Sequence, residues 1–160
     1  MDRLTEALSV HRELGDRRGE AEALDNLAAP LSLLGDVEGA YEHQRSALNI
    51  YMELGDRERE ADVRSVLAEW LWFRGDFKAA LTTARSASSM HLELGVQRYL
   101  AHDRLVEGMA LATLGNYREA LQVLEDAIAQ AERMDHPEWI AHRSEEHTSE
   151  LQSHSFISYA

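Results

Sequence analysis

The chain contains no cysteine, so a disulfide framework, a thiolate zinc site and a thiol nucleophile are all closed to it. Positive charge is scarce. Sixteen Lys and Arg stand against 29 Asp and Glu, a formal net charge of -13, and so acidic a polypeptide is poorly suited to phosphate backbones or anionic lipid. Nucleic acid and membrane surfaces are therefore set aside as direct partners. Long apolar runs are missing too: the most apolar short stretch, Leu67 to Phe73, is broken by Glu69 and falls far below the roughly 20 residues that span a bilayer. Met1 to Val10 carries acidic residues and no apolar core, so it does not read as a signal peptide. With 44% hydrophobic residues over 160 positions and a mean hydropathy of -0.42, a single soluble domain or a short repeat array is expected, in the cytoplasm.

What is present is a ruler of glycines. Gly15, Gly35, Gly55, Gly75, Gly95 and Gly115 stand at intervals of 20, the mark of an internal repeat. Their surroundings alternate between two flavours, ELGD at Glu13–Asp16 and Glu53–Asp56 against LLGD at Leu33–Asp36 and FRGD at Phe73–Asp76, so the full period is 40. The intervals are rich in Ala, Leu, Glu and Arg and lack the alternation of strands, which predicts helices. Each glycine supplies the left-handed residue that ends a helix, and the Asp or Asn after it can accept the free amides of the next. Helices are expected at Asp2–Leu14, Arg17–Leu34, Val37–Leu54, Arg57–Arg74, Phe77–Leu94, Gln97–Leu114 and Tyr117–Met134, each complete one roughly 27 Å long. Asn116 and Glu119 have capping-box spacing. Pro30 should either kink its helix or mark a late start.

Leu24, Leu27, Ala28 and Leu31 form one stripe at helical spacing. The same register in the next repeats reads Arg64, Leu67, Ala68, Leu71 and then Arg104, Glu107, Gly108, Leu111. Small residues recur where paired helices must approach, at Ala40 and Ala47, Ala80 and Ala87, Ala120 and Ala127. Leu24, Leu27-Ala28, Leu31, Gly35-Asp36 and Ala40 carry a resemblance to the tetratricopeptide repeat, from which Arg64, Arg104 and Glu107 depart while Gly108 matches the family glycine. The resemblance implies an all-α fold, an α-solenoid of antiparallel helical hairpins in a right-handed superhelix. Arrays of the HEAT and armadillo type share the period but lack the glycine ruler. The 40-residue period and phrases such as ELGDRRGEAEAL at Glu13–Leu24 resemble arrays in large bacterial signalling and transcription regulators, so the chain is expected to be a fragment of one.

The array is expected over 1–142, as a half-hairpin at 1–16, hairpins at 17–56, 57–96 and 97–136, and the start of a further helix at 137–142, where Ala141-His142 repeats Ala101-His102. At Arg143 the pattern stops. RSEEHTSELQSH, Arg143–His154, resembles a translated sequencing-library adapter, so 143–160 is set aside as a non-native tail. Uncapped array ends are expected to fray and to favour self-association.

No residue set reads as catalytic. The acidic residues are expected on solvated faces with arginine partners three or four positions away, and no nucleophile, phosphate loop or metal box appears, so the segment reads as no enzyme and as needing no cofactor or metal. His11, His43, His91, His102, His136 and His142 form no pair at metal spacing and read as surface residues. Arg74-Gly75-Asp76 spells an adhesion tripeptide but falls on the turn series. Arg104 and Glu107 are expected to form a semi-buried ion pair with each other.

The resemblance places function in the concave groove lined by the first helix of each hairpin. Glu22, Asp25, Asp62, Ser65, Glu69, Trp72, His102, Leu105 and Met109 fall on that face, together with Ala29, Ser32 and Ala112. The surface grades from acidic to apolar, which suits a protein or peptide with a basic segment and an apolar anchor. Trp70 is expected in inter-repeat packing. The carboxylate clamp of chaperone-tail adaptors needs Lys, Asn and Arg where Asp25, Ser65 and Leu105 stand, so that role is not expected. The reading is a non-catalytic interaction module; the alternative is a peptide or small-ligand sensor controlling an output domain elsewhere.

Overall fold

The computed structural model describes residues 2–133, and all of its regular elements are helices: α1 Asp2–Leu14, α2 Arg17–Leu33, α3 Val37–Leu54, α4 Arg57–Phe73, α5 Phe77–Leu94, α6 Leu100–Thr113 and α7 Tyr117–Arg133. The expected continuation at 137–142 and the tail at 143–160 lie outside the described residues.

The turns show why the ruler works. All six ruler glycines have positive φ, near 67–70° at Gly15, Gly55 and Gly95 and near 84–85° at Gly35, Gly75 and Gly115, so the two sequence flavours are two turn geometries. The amide after each glycine donates to the carbonyl five residues back, for example Asp36 to Leu31 at 2.9 Å and Asp56 to Tyr51 at 3.0 Å, which closes the preceding helix. The Asp then opens the next. Asp16, Asp36, Asp56 and Asp76 accept from the amides of Gly19, Gly39, Arg59 and Ala79, so one residue caps two helices.

The exception follows from chemistry. Val96 stands where the others have Asp, its side chain accepts nothing, and Tyr99 heads α6 without a side-chain cap. Accordingly α6 begins at Leu100, three residues later than the expected Gln97. The helices before the LLGD-type turns also stop one residue early, at Leu33, Phe73 and Thr113. Helix α2 runs through Pro30, so the late start is not what occurs; the proline lies in its last turn, where the lost amide bond disturbs least. Glu119 does not act within a simple capping box, because its carboxylate reaches Arg85 on α5 at 2.5 Å.

Each helix packs chiefly on its sequence neighbours, most extensively within α2/α3, α4/α5 and α6/α7. Ala40, Ala47, Ala80, Ala87, Ala120 and Ala127 are all buried, as a close crossing requires. Gly108 goes further: a Cβ there would sit 2.5 Å from Leu124 Cγ, so α6 and α7 cross so closely that an added methyl group would force the Leu124 side chain to shift. Leu24, Leu27, Val63, Leu67 and Leu71 form one core with Leu48, Ile50 and Tyr51. Trp70 joins Ala28 and Ala40 in a second cluster between repeats. Among alternate helices, α4 and α6 make the extended contact, so the stack closes on the side of the first helices.

Candidate functional site

On the face shared by α2, α4 and α6, the closest approach is between α4 and α6. Between α4 and α6 the gap is bridged by side chains. Ser65 Oγ lies 3.0 Å from His102 Nδ1, His102 Nε2 lies 3.4 Å from Glu69 Oε2, and Trp72 Nε1 donates to Thr113 Oγ1 at 3.4 Å. Serine, histidine and glutamate in a row invite a nucleophilic reading, which the burial defeats. Ser65 is 1% exposed, so no carbonyl can reach its hydroxyl, and attack requires contact. The row is a tie between two helices.

Beneath this tie lies a charge cluster that sequence reasoning missed. His91, read as a surface histidine, is fully buried on α5; its Nδ1 donates to Asp103 Oδ2 at 2.7 Å and its Nε2 to Asp62 Oδ1 at 3.2 Å. Burial opposes the charge on the ring, but hydrogen bonds and attraction from Asp103 and Asp62 prevail and raise its pKa to about 9, so the ring is an imidazolium at neutral pH. Tyr99 stacks on it at 5.2 Å, Arg98 covers Tyr99, and Arg98 also pairs with Glu58 at 2.8 Å and approaches Asp62 at 3.5 Å. Asp62, Asp103 and Glu60 are buried, which corrects the expectation that the acidic residues lie on solvated faces. A second correction concerns Glu107. Its partner is Arg85 on α5 at 2.6 Å, not Arg104, and Arg85 also holds Glu119, so one arginine pins α6 and α7 to α5. Arg64, the misfit of the second stripe, is likewise absorbed. It pairs with Glu60 and rests between the sulfurs of Met90 and Met52.

The expected groove residues therefore fall into two groups. Asp62 and Ser65 are buried and committed to internal bonds. Glu22 is exposed, and Asp25, Glu69, Trp72, His102, Leu105 and Met109 are half-buried. Trp72 meets Phe73 and Phe77 edge-on and leaves part of its ring on the surface. Asp25 accepts a hydrogen bond from Gln44 Nε2 at 2.7 Å, and burial, the larger effect, raises its pKa. A 40-residue comparison would have exposed the hidden cluster, because His91 stands in the register of Tyr51.

No group of three His, Cys, Asp or Glu side chains suited to a metal occurs among the described residues, and no described helix is long and apolar enough to cross a membrane. The stack of helical hairpins among the described residues defines a helical-repeat solenoid of the kind that typically serves as an interaction scaffold. Residues 26–93, which span α3 and α4, match the family model described as Tetratricopeptide repeat. No curated protein matches the sequence. Among solved structures, the chain is similar to the TPR domain of FLU from Arabidopsis, with 16% identity, a TM-score of 0.69, and 73% of this chain and 98% of that one covered. It is also similar to BtubC (BKLC) from P. vanneervenii, with 21% identity, a TM-score of 0.74 and coverage of 82% and 55%. Aspartyl phosphate phosphatase F from Bacillus subtilis follows at 19% identity and a TM-score of 0.72, with coverage of 82% and 35%. The chain thus spans about half and about a third of the latter two, and the likeness is one of fold. Tetratricopeptide repeats mediate protein–protein interaction.

Proposed function

We propose that this chain is a non-catalytic, cytoplasmic interaction module of a larger bacterial regulator, binding a partner segment along the face of α2, α4 and α6. The supporting observation is the gradient on that face. Glu22 and Asp25 mark an acidic end, while Trp72, Leu105 and Met109 keep part of their apolar surface in solvent. Aromatic and methionine side chains dominate interface cores, and acidic neighbours steer a basic segment toward them. Selection of random displayed dodecapeptides on the full chain tests this. Selected peptides should lose binding to Trp72→Ala and weaken on Glu69→Lys, whereas peptides held equally by both variants would contradict groove binding. Self-association belongs to the same reading. Tyr117, Leu121 and Ile128 are 72%, 60% and 52% exposed on α7, an apolar stripe that a second copy could cover. Sedimentation showing a monomer at all concentrations would remove it.

A further inference from the structure

The apolar stripe of the second repeat breaks at Arg64, and two methionines from the flanking second helices receive it. Arg64 stands on α4 in the register that Leu24 fills on α2, and its side chain is 19% exposed. Its Nη1 donates to Glu60 Oε1 and, at 2.9 Å, to the thioether of Met90 on α5. Its Nη2 reaches the thioether of Met52 on α3 at 3.8 Å. A thioether sulfur is a weak acceptor, so a largely buried guanidinium has one arm directed at a poor partner.

The two sulfurs differ in what can reach them. Met90 is 5% exposed, whereas Met52, in the last turn of α3, is 50% exposed. A peroxide must touch the sulfur to react, so Met52 is open to it and Met90 is shielded. With hydrogen peroxide, the sulfur–oxygen bond forms as the oxygen–oxygen bond breaks. The proton on the transferred oxygen passes to the departing one and water leaves; sulfur is oxidised by two electrons and the peroxide is reduced by two. The product is a sulfoxide, polar where the thioether was apolar. The 3.8 Å between Met52 Sδ and Arg64 Nη2 exceeds the N–H···O separation of about 2.7–3.2 Å, so an oxygen on that side of the sulfur falls within reach of the guanidinium. At Met90 the 2.9 Å contact leaves no such room. The pairing occurs once among the described residues, because Arg12 and Leu92 stand in the register of Met52, and Leu24 and Arg104 in that of Arg64.

We propose that Met52 is a modification site, oxidised to the sulfoxide by hydrogen peroxide, and that Arg64 holds the sulfoxide oxygen. Oxidation then strengthens the junction of α3 and α4 instead of loosening it, because a charge-assisted hydrogen bond replaces contact with a weak acceptor. Methionine sulfoxide is reversible by reductases, so the junction between these two hairpins has two bonded forms.

The test treats the full chain with hydrogen peroxide, locates the oxidised methionines by peptide mass spectrometry and compares urea unfolding before and after. Met52 should reach the sulfoxide ahead of Met90 and Met109, and the urea midpoint should rise by roughly 0.5 M, the scale of a hydrogen bond to a charged group. In Met52→Leu, and in Arg64→Leu, which places the leucine of the preceding repeat in this register, the same treatment should produce no rise. A fall or no change in the wild type, an equal rise in either variant, or oxidation of Met90 or Met109 ahead of Met52 would each overturn the proposal. Should Arg64→Leu fail to fold, the Arg64 guanidinium signal in NMR spectra of the wild type decides: it should move on oxidation and stay in place in treated Met52→Leu, and an unmoved wild-type signal overturns the proposal.

Discussion

The buried His91 makes stability depend on pH in a defined window. In the folded chain its pKa is about 9, against the ordinary 6.5. Below the ordinary value the ring is protonated in both folded and unfolded states, so the whole contribution of the ion cluster is present. Between about 6.5 and 9 the unfolded chain has lost its proton while the folded chain keeps it, and folding takes up a proton that becomes steadily harder to supply. Above about 9 the contribution is gone. A shift of this size corresponds to about 3 kcal/mol of stability lost across the window, a large share of the 5–15 kcal/mol typical of a domain. The background favours detection, since the chain has one lysine, Lys78, and no cysteine. Urea unfolding followed by circular dichroism at intervals from pH 6 to 10 measures the effect. The midpoint should fall steadily on the alkaline side, and His91→Gln, less stable at neutral pH, should show little slope in the same window. Unchanged wild-type stability from pH 7 to 9.5, or an equal slope in His91→Gln, would refute the reasoning.

Asp56→Ala removes the cap of α4, whose side chain accepts from Arg59, and also the partner of Arg18 at 2.8 Å; a loss of about 1 kcal/mol is expected in urea unfolding, and no loss would contradict the capping role. Gly108→Ala places a methyl group against Leu124 and should cost about 1–3 kcal/mol by overpacking, read from the same unfolding curve.

The repeat, its turns and its alanine contacts were legible because they rest on local rules: a left-handed glycine, an aspartate that caps, and small residues at crossings. The late start of α6 has its sequence signal in Val96, which lacks the side-chain acceptor that the other turns supply. The polar interior was not legible. Arg104 and Glu107 stand three apart on one helix, yet Glu107 finds Arg85 on α5, 22 residues away, and neither spacing nor composition reports an inter-helix distance. His91 escaped because a lone histidine carries no helical signature. Its two carboxylates come from α4 and α6, and only the stacking of three helices brings them together. Charged residues in this chain that look like surface decoration thus include the ones that fix how neighbouring hairpins meet.

The placement of a partner on the first-helix face is tested most directly by hydroxyl-radical footprinting of the full chain with and without a selected peptide. Trp72 and Met109 on that face should be protected, while Met52 and Leu92, which are 50% and 56% exposed on α3 and α5, should oxidise as before. Protection of Met52 and Leu92 with Trp72 and Met109 unchanged would place the partner on the opposite side and contradict it.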